Sequence, residues 1–118
     1  MNRGDVWQID LGGRIGRRPV VIVTRQKVIE YLNKVTVVEV TTKGKGYPTE
    51  VEIGRKANLP KSSFVQADNV HTVPKNRLKK YLGTLDPETM LVVSRKVVLA
   101  LGLEKCMDDV LDTPSWLQ

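Results

Sequence analysis

Three arginines close together are the side chains of this 118-residue chain best suited to bind an anion. Arg14, Arg17 and Arg18 lie among glycines, and Arg18 directly precedes Pro19 and the apolar run 20–23. Because a proline at the first position of a strand need not donate to the ladder, we expect Arg18 at the entrance of a strand buried on both faces. A guanidinium held at this position is well suited to bind a phosphate group. Two solvated arginines at a strand end are the ordinary alternative, which composition alone favours.

The other reactive side chains offer little for metal or acid–base catalysis. His71 is the only histidine and Cys106 the only cysteine, and the carboxylates do not cluster at metal-ligand spacing. A Ser-His-Asp triad has nothing beyond His71 to support it, so we expect His71 to be a structural or surface residue. This inventory favours a reaction on an anion without metal or cofactor, carried out by arginine and hydroxyl groups. Cleavage of RNA by its own 2′-hydroxyl fits, because the substrate supplies the nucleophile.

Composition indicates a single domain with an anionic partner. The chain has 19 Lys and Arg against 13 Asp and Glu, a net charge of +6, and nucleic acid is the commonest partner of such a protein. No window approaches the roughly 20 apolar residues of a membrane span. The start lacks the apolar core of a signal peptide, and a lone cysteine fits a reducing compartment. We therefore expect a cytoplasmic protein without a membrane-spanning segment.

Three predicted strands carry the remaining polar candidates. The β-branched run 35–42 is the clearest strand, and a basic, glycine-punctuated loop over 43–48 follows it. Residues 49–53 alternate as a half-buried strand should, which predicts a hairpin with 35–42. The next predicted strand is 62–70. Together these segments hold a set of hydroxyl, cationic and amide or carboxylate side chains: Thr41, Thr42, Lys43, Lys45, Gln66, Asp68 and Asn69.

The rest of the chain supplies supporting elements. A first strand is predicted over 5–11, and 26–33 suits a short helix or a long loop. A basic turn or short helix is predicted over 73–82. Asp86 begins the clearest helix as its N-cap, and this helix should run over 87–101.

Five blocks follow one another along the chain: RGDVW at 3–7, GRRPVVIV at 16–23, VEVTT at 38–42, GYPTEV at 46–51 and VQADNVHTV at 65–73. In this order they resemble the MazF/PemK toxins. The resemblance runs from Arg3 to about Leu103, and the ordered series is more specific than any single block. It implies a mainly β fold with α, an SH3-like barrel of the MazF/PemK/CcdB type plus a C-terminal helix, in a toxin domain over 1–103.

The resemblance also implies a function. Members of this family are homodimeric toxins of type II toxin–antitoxin systems that cut single-stranded RNA at short sequences, without metal, leaving a 2′,3′-cyclic phosphate and a 5′-hydroxyl. An antitoxin like MazE is the implied protein partner. By position, Arg18 matches the catalytic arginine and Thr41 the catalytic threonine. The residues predicted to bind RNA are Arg14, Arg17, Thr42, Lys43, Lys45, Gln66, Asp68 and Asn69.

Two stretches depart from the family pattern. The loop before Arg18 is short, and Arg14 stands roughly where many relatives have an acidic residue, which should change the preferred RNA sequence rather than abolish cleavage. The acidic tail 104–118 lies beyond the resemblance. It is either a frayed end or a segment that docks on the basic face, in which case its deletion should raise activity.

Two functions of other classes remain open at this point. One is a noncatalytic SH3-like RNA-binding module. The other is a toxin of the same fold that binds DNA gyrase, which depends on residues of the C-terminal helix rather than on Arg18 and Thr41.

Overall fold

The computed structural model describes residues 1–106, which form a six-stranded antiparallel sheet followed by a helix. In chain order the elements are β1 (Asp5–Asp10), β2 (Arg17–Ile22), a 3₁₀ helix (Gln26–Tyr31), β3 (Lys34–Thr41), β4 (Glu50–Gly54), β5 (Ser63–Pro74), a 3₁₀ turn (Lys75–Arg77), β6 (Leu78–Thr84) and α1 (Pro87–Ala100). The mainly β fold with a C-terminal helix is confirmed. The tail from residue 107 lies outside the described residues. No helix within 1–106 is long and apolar enough to cross a membrane.

The predicted hairpin between 35–42 and 49–53 is wrong. The strand order is β4-β5-β3-β2-β1-β6, so β5 lies between β3 and β4. Val65 of β5 pairs with Val40 on one side and Val51 on the other, and it is completely buried. The connection between β3 and β4 is too long to impose a two-residue turn. An apolar strand from further along the chain, β5, therefore lies between β3 and β4.

The basic turn or helix predicted over 73–82 is also wrong in its second half. After one 3₁₀ turn the chain forms β6, an edge strand that pairs antiparallel with β1. Leu78 is buried, whereas Lys79 and Lys80 are exposed. Exposed lysines are common on edge strands, where they discourage pairing with other chains. The lysine run therefore indicates the edge of a sheet.

The strand after Arg18 is buried on both faces, as the sequence predicts. Val20, Val21 and Ile22 are inaccessible to solvent. Val21 belongs to the core cluster that includes Met90 and Val93 of α1, whereas Val20 and Ile22 belong to a second cluster. Because successive side chains of a strand point to opposite faces, β2 contributes to both cores.

The predicted C-terminal helix is confirmed, and it ends one residue before the expected position. The carboxylate of Asp86 accepts a hydrogen bond from the backbone N–H of Thr89 at 3.1 Å, as an N-cap should. Pro87 occupies the first position, where its missing N–H costs nothing. Gly102 follows the helix with a φ of +68°.

The sheet is barrel-like because a turn joins its two edges. β4 and β6 do not pair with each other. Instead, Nδ2 of Asn58, just after β4, donates to the carbonyl oxygen of Leu82 in β6 at 2.8 Å. At Gly83 the two backbones are so close that a Cβ would lie 2.7 Å from Cα of Ala57. Only glycine fits there, so the sequence at Gly83 permits this closure.

Candidate active site

The predicted catalytic residues lie in one open groove of about 460 Å³. Val20 of β2 pairs with Glu39 of β3, and extending this antiparallel register by two residues places Thr41 opposite Arg18. Residues opposite each other share a face of the sheet, with Cβ atoms about 5 Å apart. The residues that line the groove are Ile15, Arg18, Glu39, Thr41, Thr42, Lys43, Lys45, Gln66 and Asn69.

Arg18 presents an unsatisfied donor in this groove. Its side chain is half-buried, and its Nε is buried without a hydrogen-bond partner among residues 1–106. A buried donor without an acceptor is costly, and most such groups in proteins are paired. An anionic ligand would supply the acceptor, and a guanidinium can bind two phosphate oxygens at once.

Thr41 is the last residue of β3, and its hydroxyl is fixed by the chain that follows. Oγ1 accepts a hydrogen bond from the backbone N–H of Lys43 at 3.1 Å. The hydroxyl proton remains available to donate into the groove, because a hydroxyl both donates and accepts. Lys43 and Lys45 are exposed and line the same groove, which makes its outer part cationic.

A hydrogen-bonded network orders the loop that carries Lys45. The Glu50 carboxylate accepts from the backbone N–H groups of Lys45, Gly46 and Tyr47, and from Nε2 of Gln66 at 3.2 Å. Burial alone would raise the pKa of Glu50, but these hydrogen bonds outweigh it and lower the pKa below its ordinary value. Glu50 therefore organises the loop as an ionised carboxylate.

A bulge in β5 brings two more polar residues to the edge of the groove. Val70 pairs with Val38, but Gln66 already pairs with Glu39, so residues 67–69 are extra in β5. Bulges of this kind re-aim side chains next to sites. Asn69 lines the groove and donates through Nδ2 to Oε1 of Gln66 at 2.9 Å.

Asp68, from the same bulge, lies in an adjoining pocket of about 130 Å³ rather than in the main groove. Its Oδ2 accepts a hydrogen bond from Oγ1 of Thr49 at 2.5 Å. Tyr47 lines this pocket and is 53% exposed, so its ring is available for stacking. Lys45 and Asn69 line both spaces, which makes them one continuous surface.

Two of the predicted RNA-binding arginines are not in the groove. Arg17 points to the opposite face from Arg18 and lines a separate cavity of about 410 Å³ with Lys79 and Lys80. Arg14 is exposed in the connection between β1 and β2 and does not line the groove. The structure therefore separates the arginine cluster that the sequence presents as one surface.

The sequence analysis missed Glu39, Tyr47 and Glu50. The two-residue spacing from Glu39 to Thr41 in one strand is a signal that could have identified Glu39, because such residues share a face. The contact of Glu50 with Gln66 could not be anticipated from local sequence, since Gln66 lies on a different strand. Within 1–106 no three His, Cys, Asp or Glu side chains cluster in a way that could hold a metal ion.

Comparison of the sequence with known proteins identifies one family of toxins. A family model described as PemK-like, MazF-like toxin of type II toxin–antitoxin system matches residues 2–101. Endoribonuclease MazF1 of Mycobacterium bovis is 36% identical over 101 residues, covering 86% of this chain and 92% of the relative. Endoribonuclease MazF of Staphylococcus saprophyticus is 37% identical, covering 87% and 92%.

Solved structures agree at the level of the whole fold. A mycobacterial endoribonuclease solved in complex with its cognate antitoxin superposes with a TM-score of 0.78 and 35% sequence identity, covering 87% of this chain and 96% of that one. The residues that the family model matches, 2–101, include every residue that lines the groove.

Proposed function

This chain belongs to the PemK-like, MazF-like toxins of type II toxin–antitoxin systems, and we propose that it is an endoribonuclease that cuts single-stranded RNA at short sequences without a metal ion. The observation that carries this proposal is the buried Nε of Arg18, which has no hydrogen-bond partner among residues 1–106, in an open groove that Arg18 shares with Thr41. The relatives named as endoribonucleases support the class of reaction.

In the proposed reaction the 2′-hydroxyl of the RNA attacks the adjacent phosphorus, and the 5′-oxygen leaves. The products are a 2′,3′-cyclic phosphate and a 5′-hydroxyl. Arg18 stabilises the negative charge that develops on the phosphorane oxygens, and Thr41 orients the reacting group by a hydrogen bond. A guanidinium is a poor acid at neutral pH, so its role is electrostatic rather than proton donation.

The proposed RNA path follows the remaining polar residues of the groove. Thr42, Lys43 and Lys45 hold phosphates, while Gln66 and the bulge residues 68–69 hydrogen-bond the edges of unstacked bases. Arg14 and Arg17 lie beyond the groove, so we assign them contacts to RNA on either side of the cleaved bond. A phosphate contact from Arg17 adds affinity without reading sequence.

The proposed partners follow from the same site. A cognate antitoxin resembling MazE would lay an acidic segment along the cationic groove and cover Arg18 and Thr41. A related endoribonuclease has been solved in complex with its cognate antitoxin, which supports an antitoxin as the protein partner. We propose that the active form is a homodimer acting in the cytoplasm.

The experiment is cleavage of a long mixed-sequence single-stranded RNA in EDTA, with wild type, Arg18→Ala, Thr41→Ala and the neighbouring control Arg17→Ala. We expect wild type and Arg17→Ala to cut and leave cyclic phosphate ends. Removing Arg18 should lower the rate by about 10²–10³-fold. Cleavage only with added magnesium would refute the mechanism. RNA binding without cleavage would favour a noncatalytic RNA-binding module. Binding to DNA gyrase, with neither RNA binding nor RNA cleavage, would favour a gyrase-binding toxin.

A further inference from the structure

Glu39 is the one carboxylate among the described residues that line the groove. Its side chain is 13% exposed. Glu39 precedes Thr41 by two residues and pairs with Val20, which is two residues after Arg18. Sheet geometry therefore places its Cβ about 7 Å from that of Thr41 and about 7–8 Å from that of Arg18. A phosphate held between Arg18 and Thr41 lies within reach of this carboxylate.

His71 fixes the orientation of the Glu39 carboxylate. Nε2 of His71 lies 2.5 Å from Oε2 of Glu39, across the β3–β5 pair. Within 1–106, Glu39 makes no other hydrogen bond through its side chain, so Oε1 is left available to a ligand. Neither residue was expected to take part in chemistry from the sequence.

The proposed reaction needs a group that accepts the proton of the 2′-hydroxyl. Arg18 is a donor only, and the Thr41 hydroxyl is too weak a base at neutral pH. Arg14 stands roughly where many members of the family that the sequence resembles have an acidic residue, so the loop before Arg18 offers no carboxylate at that position. A partly buried carboxylate on the same face as Arg18 and Thr41 is suited to this task.

We propose, given the RNA cleavage proposed above, that Glu39 is the general base and that His71 is its positioning residue. The Glu39 carboxylate takes the 2′-hydroxyl proton while the 2′-oxygen bonds to phosphorus. The bond from phosphorus to the 5′-oxygen breaks, and that oxygen keeps the electron pair and takes a proton from water. The hydroxide so formed recovers the proton from Glu39, which returns the groove to its starting state.

The charged groups that face Glu39 determine how the reaction depends on pH. Arg18 faces it from β2 and His71 from β5, while Lys43 and Lys45 line the outer groove. A general base acts only while it is deprotonated, so we expect the reaction rate to decline on the acidic side.

The test is Glu39→Gln, with Glu30→Gln as the matched control in the distant 3₁₀ helix. Glutamine can still hydrogen-bond His71 but cannot take the proton. We expect the rate at saturating RNA to fall about 10²–10⁴-fold with RNA affinity kept, and the acidic decline of the pH–rate profile to disappear. His71→Asn should lower the rate less and shift that decline.

A purely structural role for the pair gives a different result, because Glu39→Gln would then cut RNA as fast as wild type. That outcome overturns the proposal, as does a wild-type rate that is flat from about pH 4 to 9, a readout that needs no variant to fold. If wild type fails to cut RNA at all, the proposed function itself is wrong. If wild type cuts, Arg18→Ala does not and Glu39→Gln does, only the role of Glu39 is wrong.

Discussion

Replacing Gly83 with alanine tests how the barrel-like fold closes. A Cβ at Gly83 would lie 2.7 Å from Cα of Ala57, and ordinary contact begins at 3.4 Å, so the two backbones must separate by about 0.7 Å (3.4 − 2.7). The adjacent hydrogen bond from Asn58 to the Leu82 carbonyl is 2.8 Å long. A shift of this size stretches it to about 3.5 Å (2.8 + 0.7), beyond the usual range of a hydrogen bond.

Three terms set the size of the effect. Forcing a methyl group between two backbones costs about 1–3 kcal/mol. Losing the hydrogen bond costs about 1 kcal/mol. Alanine also restricts the unfolded chain, which offsets about 0.4–1 kcal/mol. We therefore expect Gly83→Ala to lower the free energy of unfolding by about 2 kcal/mol, and the melting temperature by roughly 10 °C.

Urea and thermal unfolding followed by circular dichroism measure this loss. The control is Asn58→Gly, which removes the hydrogen bond but tolerates the φ of +60° at that position. Since Gly83→Ala already breaks the hydrogen bond, the double variant should be less destabilised than the sum of the two single variants. An unfolding free energy for Gly83→Ala within about 0.5 kcal/mol of wild type would refute the proposed closure.

Three further predictions concern charged residues. Hydrogen bonds from the side chain and backbone of Thr89, and from Lys56, hold the pKa of Asp86 well below its usual range. Because the folded pKa is depressed, this stabilisation exists above the unfolded pKa of about 3.9 and is lost as the pH falls toward the folded pKa. The difference in melting temperature between wild type and Asp86→Asn should therefore shrink on acidification, and a constant difference contradicts this. Glu50→Gln should speed hydrogen exchange at the amides of 45–47 and weaken RNA binding, whereas unchanged exchange would show that Glu50 does not order this loop. Arg17→Ala should reduce the salt dependence of RNA binding by about 0.7 in the log–log slope without changing the rate at saturating RNA, and a lost rate would place Arg17 in the reaction.

The sequence predicted which residues form the groove better than where they point. The residues before and after Arg18 were sufficient to place it at the start of a buried strand, because runs of β-branched residues strongly favour β-strands. The family resemblance, rather than the strand pattern, distinguished Arg18 from Arg17, since both are basic and adjacent. Only the pairing of β2 with β3 decides which of the two shares a face with Thr41.

The strand order was beyond local sequence for a similar reason. Nothing between 42 and 49 shows that β5 will come between the two flanking strands, because that choice depends on apolar residues further along the chain. Val65 is the best example, since it is buried between β3 and β4. The prediction of a basic turn or short helix at β6 was wrong because it rested on the charge of Lys79 and Lys80. The burial of Leu78 in the core instead fixes this segment as a strand.

The bulge in β5 shows how such long-range pairing creates the candidate site. Ala67 is completely buried, and its backbone N–H donates to the carbonyl of Thr49 at 3.1 Å, so the extra residues are anchored at one end. Without the bulge, the register that pairs Val38 with Val70 would place Asn69 opposite Glu39. With it, Gln66 takes that place. The carboxylate of Glu39 contacts His71, which lies on the other side of the bulge. The sequence shows only a small residue, Ala67, next to two polar ones. Whether that residue is buried depends on which strand lies across from it.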